Sequence, residues 1–195
     1  MTMKNRIEVK IGGFGGQGVI LAGQIVGKAA SLFDGKHAAF TQSFGPEARG
    51  SACSSQVIVS AERILYPYVK FPDILVVMSQ EAFVKFSPAL KPDGMLIYEK
   101  SLVTPVDLPA SVRTAGIPST QLAEELGRRI TSNIVMTGFF AAVTGIVSEE
   151  ATRKAVMDSV PKGTEKLNLE AFEKGFAYGR AHAAPAAAGA AQRGH

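Results

Sequence analysis

The run Ile7-Glu8-Val9-Lys10-Ile11-Gly12-Gly13-Phe14-Gly15-Gly16-Gln17-Gly18-Val19-Ile20-Leu21-Ala22 decides the fold. Ile7–Ile11 has the length and apolar content of a short buried strand, and glycines follow at once. From Val19 to Phe33, apolar and small residues recur at helical spacing: Val19, Ala22, Ile25, Val26, Ala29, Ala30, Phe33. The unit is strand, glycine loop, helix. Gly13, Gly15 and Gly18 fit the G-x-G-x-x-G pattern at that junction. Without side chains there, backbone N–H groups can approach an anion, and a helix starting near Gly18 adds the positive end of its dipole. The same glycines also suit tight packing of strand on helix, with no ligand at all.

Outward from this unit the pattern alternates. Asp34–Gly35 closes the helix, and His37–Thr41 and Cys53–Ser60 read as strands. Ile64–Tyr68 reads as a short strand or turn. Asp73–Met78 is a continuous apolar strand with an acidic start, as in a parallel sheet covered on both faces. Glu81–Leu90 is a helix, Pro92–Gly94 a turn, and Met95–Tyr98 and Val112–Ile117 are further strands. Leu122–Arg129, Asn133–Val147, a segment capped by Ser148 and running to about Val160, and Leu169–Ala181 read as helices. The expected fold is α/β: a single domain over residues 1–182 with a Rossmann-like, mostly parallel sheet flanked by helices. Residues 183–195 (AAPAAAGAAQRGH) read as a disordered Ala-rich tail.

Composition narrows the function. Apolar residues are 46% of the 195, enough for a core. Lys and Arg number 21 against 17 Asp and Glu, for a net charge of +4, and no basic run is longer than a pair such as Arg128–Arg129. That spread speaks against nucleic acid as the partner. One cysteine, Cys53, allows no internal disulfide, no cysteine-rich zinc site and no iron–sulfur cluster held by this chain alone. No apolar stretch reaches the roughly 18 residues of a membrane span, and the start of the chain has no signal-peptide core. A cytoplasmic protein is the expectation.

The second candidate segment is Thr41-Gln42-Ser43-Phe44-Gly45-Pro46-Glu47-Ala48-Arg49-Gly50-Ser51. Arg49 suits a bidentate pair with a phosphate or carboxylate, whereas an internal Glu47–Arg49 contact is the plain alternative. Asn133, with Ser132, reads as an N-cap or as a helix start facing the same ligand. A dinucleotide site asks for an acid about 20 residues on, at the end of the second strand; Thr41, Gln42 and Ser43 stand there instead. The Gly27–Lys28 pair lacks the rest of a P-loop. His37, His182 and His195 are far apart, Cys53 reads as packed, and no catalytic set stands out.

Four blocks then carry a resemblance: GGFGGQGVILAGQIVGKAA, TQSFGPEARGSACSSQVIVS, DILVVMSQEAF and NIVMTGFFAAVTG. In this order they resemble the gamma subunit of the 2-oxoacid:acceptor (ferredoxin or flavodoxin) oxidoreductases, over roughly residues 6–180. The resemblance implies an enzyme complex that converts a 2-oxoacid, coenzyme A and an oxidised acceptor to acyl-CoA, CO2 and reduced acceptor. It implies thiamine diphosphate, Mg2+ and iron–sulfur clusters on partner subunits of alpha, beta and delta type, with FAD on a further partner where NAD is the final acceptor. This chain would hold neither thiamine nor cluster and would help position CoA. By position, the implied contacts are Gly13, Phe14, Gly15, Gly16, Gln17, Gly18, Val19, Gly45, Pro46, Glu47, Arg49, Gly50, Ser51 and Asn133. An arginine stands in GPEARG where fused relatives tend to have lysines. Two other readings stay open: an independent Rossmann-like NAD(P) or flavin oxidoreductase, and a purely structural subunit.

Overall fold

In the computed structural model, which describes residues 5–43 and 52–182, six strands form one sheet. They are β1 (Arg6–Phe14), β2 (His37–Ser43), β3 (Ala52–Ser60), β4 (Ile74–Val77), β5 (Met95–Glu99) and β6 (Arg113–Ile117), in the order β2-β3-β1-β4-β5-β6. The β1–β4, β4–β5 and β5–β6 pairs are parallel, and β3 runs antiparallel to both β1 and β2. Only β3 opposes the others, so the sheet is mostly parallel. The Rossmann likeness stops at β2, which is separated from β1 by the reversed β3.

The helices are α1 (Val19–Lys28), α2 (Gln80–Phe86), α3 (Ser119–Glu124), α4 (Ser132–Thr144), α5 (Glu149–Ser159) and α6 (Glu165–His182). On one face of the sheet, Val9 and Ile11 of β1, Val57 and Val59 of β3 and Val76 of β4 join one large core with residues of α1, α4, α5 and α6. The other face carries a smaller cluster in which Leu75, Val77 and Leu96 meet Phe83 and Phe86 of α2. All four residues of β4 are buried, as its unbroken apolar run requires. The run Ile134–Val147 is equally apolar because α4 lies inside the helical layer, and no helix among the described residues is long and apolar enough to cross a membrane.

The helical layer depends on two glycines. A Cβ at Gly175 of α6 would run into the Val135 carbonyl of α4, and one at Gly138 of α4 into the Phe172 carbonyl of α6. The two backbones touch, so neither position tolerates a side chain.

Several element ends differ from the sequence reading, for local reasons. The helix read to Phe33 ends as α1 at Lys28 and continues as a π turn through Ala29–Phe33, with Asp34 N–H bonded to the Ala29 carbonyl. The helix read from Leu122 begins at Ser119, because the buried Glu99 carboxylate at the end of β5 accepts from Thr120 N–H (2.8 Å) and from the Ser119 hydroxyl. It ends at Glu124, with Gly127 in the left-handed region (φ +79°). The last helix starts at Glu165 rather than Leu169, its first turn closed by Asn168 N–H on the Thr164 carbonyl. Ile64–Tyr68 forms no strand. Ser148 does cap α5, accepting from Ala151 N–H at 3.1 Å. Residues 183–195 lie outside the described residues.

Gly175→Ala should destabilise the chain by about 1–3 kcal/mol or more, read as a lower denaturant midpoint at unchanged slope. Gly27→Ala is the contrast: the added methyl meets only ordinary contacts at 3.9 Å inside α1, so it should be neutral or stabilise by up to about 1 kcal/mol.

Candidate functional site

β1 delivers its glycines to the rim where β4, β5 and β6 also end. The register sets Phe14 opposite Ala52, Gly13 opposite Cys53, and Ser43 of β2 opposite Ser54. The strands entering and leaving segment 44–51 therefore finish beside Phe14. The expected contacts Gly45, Pro46, Glu47, Arg49, Gly50 and Ser51 themselves lie outside the described residues.

The loop after β1 is a tight turn, with Gln17 N–H bonded to the Phe14 carbonyl at 3.1 Å. Gly16 has φ +96°, as the third residue of a type II turn demands. The Gln17 carboxamide holds this turn down. Its Oε1 accepts from Phe14 N–H at 2.7 Å, and its Nε2 donates to the Met78 carbonyl at 2.9 Å. Gln17, expected to touch a ligand, is thus engaged with the protein on both sides.

The glycines divide into two kinds. A Cβ on Gly13 would strike Gln17 Oε1 and Val19, one on Gly12 would strike the Phe86 ring, and one on Gly18 would strike Asn133. These three are packing glycines. Gly15 and Gly16 are exposed, with nothing within 4 Å of a Cβ built on either. They are the positions where a ligand can reach backbone. Immediately after them α1 begins with no side-chain cap and no acid in its first turn. Its free N–H groups and dipole favour an anion. Val19 is 1% exposed, so its contribution there is its N–H and not its side chain.

Asn133 is not the N-cap of α4; Thr131 holds that position, without a side-chain cap bond. Asn133 is buried and donates from Nδ2 to the Gly18 carbonyl at 3.2 Å. It locks the start of α4 against the start of α1, bringing two helix N-termini to one place.

Between them lies a cleft of about 810 Å³. That is within the range of roughly 300–1,000 Å³ for small-molecule sites. Gly15, Gly16, Val19 and Asn133 line it, with Ile20, Ile130, Val160 and Leu167 as apolar wall. Arg128 stands exposed in the lining and forms no ion pair with a described residue. Cys53 also lines the cleft but is itself buried, and burial pushes its thiol above the ordinary 9.0. The arrangement offers backbone N–H groups and one guanidinium to an anion, and apolar surface to what is attached to it. Of the residues expected to bind, it assembles Gly15, Gly16, Gly18, Val19 and Asn133. Arg128, Ile130 and Leu167 escaped the sequence reading; Arg128 registered only as half of a basic pair, and the others had no local signal.

The comparisons agree with this architecture. Residues 8–178 match the family model described as pyruvate ferredoxin/flavodoxin oxidoreductase. The chain is 49% identical over 176 residues to the 2-oxoglutarate synthase subunit KorC of Methanocaldococcus jannaschii, covering 89% of this chain and 94% of that one. It is 34% identical over 179 residues to the ketoisovalerate oxidoreductase subunit VorA of Methanothermobacter thermautotrophicus, covering 89% of this chain but 36% of that one. The gamma subunit of a keto/oxoacid ferredoxin oxidoreductase from Geobacter sulfurreducens superposes with a TM-score of 0.80 at 42% identity, over 90% of this chain and 99% of that one. The 2-oxoglutarate:ferredoxin oxidoreductase of Magnetococcus marinus, solved with 2-oxoglutarate, coenzyme A and succinyl-CoA bound, gives 0.83 at 25% identity, over 91% of this chain and 32% of that one.

Two outcomes follow for this site. Gln17→Leu should cost about 1–3 kcal/mol, since it leaves Phe14 N–H and the Met78 carbonyl without their partner, measured by denaturant unfolding. Cys53 in the native chain should react with a thiol reagent far more slowly than in the unfolded chain at pH 8, and its rate should keep rising as the pH passes 9.0, because its thiolate forms late.

Proposed function

We infer the role from kinship: this chain belongs to the pyruvate ferredoxin/flavodoxin oxidoreductase family, as the gamma subunit of a multi-subunit 2-oxoacid:ferredoxin oxidoreductase. Its task in that complex is to bind and orient coenzyme A. The observation that carries this is the open Gly15–Gly16 turn at the uncapped start of α1, above an apolar cleft with an Arg128 that forms no ion pair among the described residues. The residues fit the group. A pyrophosphate takes the N–H groups of Gly15, Gly16 and the first turn of α1, and the pantetheine arm takes the apolar wall. Arg128, with Arg49 from the adjoining segment, meets phosphate charge. Gln17 and Asn133 hold these donors in place through their bonds to Phe14, Met78 and Gly18.

The partners supply the reaction. Alpha-, beta- and delta-type subunits carry thiamine diphosphate with Mg2+ and iron–sulfur clusters, and pass electrons to ferredoxin or, through an FAD-bearing subunit, to NAD. Thiamine diphosphate supplies the decarboxylation chemistry there. This chain lowers the barrier by presenting the thiol-bearing arm in a fixed orientation. We assign 2-oxoglutarate as the oxoacid of the complex. Identities of 49%, 48% and 47% to three 2-oxoglutarate synthase subunits support that choice, while a fourth such subunit, from Archaeoglobus fulgidus, stands at 34% with the PorC subunit of Methanothermobacter thermautotrophicus and VorA.

In the holoenzyme, Gly15→Val and Arg128→Ala should each raise the KM for CoA about 10- to 100-fold, the loss of one charge-assisted hydrogen bond, with the KM for the 2-oxoacid unchanged. Arg49→Ala should act in the same direction. A CoA KM unmoved by all three would contradict the binding role and leave a subunit that serves assembly alone.

A further inference from the structure

The face of the sheet turned away from the cleft carries two lysines gathered on one aromatic ring. Lys10 of β1 is partly buried, with its ammonium 4.3 Å from the centre of the Phe86 ring. Lys85 of α2 lies 5.6 Å from the same ring centre. Neither forms an ion pair with a described residue. Burial and the charge of Lys85 hold the Lys10 ammonium below its ordinary 10.5. The same strand treats its other charges differently. Glu8, two residues earlier on the same face, is met by Arg6 at 2.9 Å and Lys91 at 3.7 Å, and Lys91 reaches Asp73 at 3.0 Å. Among the described residues, Lys10 and Lys85 meet a shared ring where Glu8 meets cations.

Lys10 pairs in the sheet with Gln56 of β3, and Gln56 Oε1 accepts from Val69 N–H at 2.9 Å. Val69 anchors the strap 61–72, whose Ile64–Tyr68 part reads from sequence as a short strand or turn. Arg6 Nη2 donates to the Tyr66 carbonyl at 3.1 Å, and Val69 and Pro72 are buried. The strap is therefore pinned by its backbone while its large side chains face out. Leu65, Tyr66, Tyr68 and Phe71 are 85%, 62%, 59% and 51% exposed. Aromatic side chains held on a fixed backbone are the composition of an interface centre rather than of a solvated loop. Lys70, over the Phe71 ring at 5.4 Å, continues the positive charge.

We propose that this face seats another subunit of the same oxidoreductase, with an acidic side chain of that subunit entering between Lys10 and Lys85 and an apolar surface closing over the strap. The inference rests on the subunit assignment and not on CoA binding. Charge selects the occupant. A two-fold contact with a second copy centred on this patch would set lysine against lysine. An acidic partner supplies the missing counter-charge, and the docked face leaves the cleft on the other side free.

Carbodiimide cross-linking of the holoenzyme with peptide mapping tests this directly. The expected product joins Lys10 or Lys85 to an Asp or Glu of a different subunit. A product joining this chain to a second copy of itself overturns the proposal. So does equal amine labelling of Lys10 and Lys85 in the free full-length chain and in the holoenzyme. Lys10→Glu combined with Lys85→Glu should weaken subunit association about tenfold or more, followed by gel filtration of the co-expressed complex. Lys10→Met separates this from misfolding: the free chain should melt no lower than wild type, because a half-buried charge beside a like charge is removed, while the complex weakens. Complex stability unaffected by Lys10→Met, Tyr66→Ala and Tyr68→Ala together also overturns it, whatever happens to the CoA KM.

Discussion

The Gln17 carboxamide joins three pieces of backbone that the site needs in register. Through Phe14 N–H it closes the glycine turn on the end of β1, and through the Met78 carbonyl it ties that turn to the end of β4. Gly13 makes room for it, since any side chain there would meet Gln17 Oε1. Gly18 and Asn133 do the same one step further, fixing the start of α1 against the start of α4. With both ties made, Gly15 and Gly16 project from a frame that does not have to reorganise when an anion arrives. Preorganised donors of this kind keep the ordering cost low when the ligand binds.

The chain divides its work between the two faces of the sheet. The face of Val9 and Ile11 supports the helical layer and, at its rim, the cleft. The face of Lys10 and Gly12 is covered by the short α2 and by an irregular strap. The α4–α6 contact, backbone on backbone at Gly138 and Gly175, packs this helical layer closely.

Much of the fold was legible. The strand–glycine–helix unit and the apolar run of Ile74–Val77 announced a parallel sheet; helical periodicity located α1, an apolar run α4, and the Ser148 cap α5. What failed were contacts made across the sequence. Nothing near Leu122 says that the Glu99 carboxylate starts α3 at Ser119. Nothing near Gln17 says that its amide reaches Met78. Glycines of one motif read alike, yet only their neighbours decide that Gly13 and Gly18 pack while Gly15 and Gly16 stay open. The cleft's far wall, Val160 to Asn168, lies far along the chain from the motif that it faces and carries no signature of its own.

CoA binding as proposed requires ligand phosphate to meet the backbone of the Phe14–Gln17 turn. Amide hydrogen exchange of the intact holoenzyme, with and without CoA, reports on that turn directly. Selective slowing of the amides from Gly15 to Leu21 on addition of CoA, with the α5–α6 connection protected less strongly, is the expected result. Exchange of those amides unchanged at saturating CoA, with protection confined to the other subunits, would contradict it.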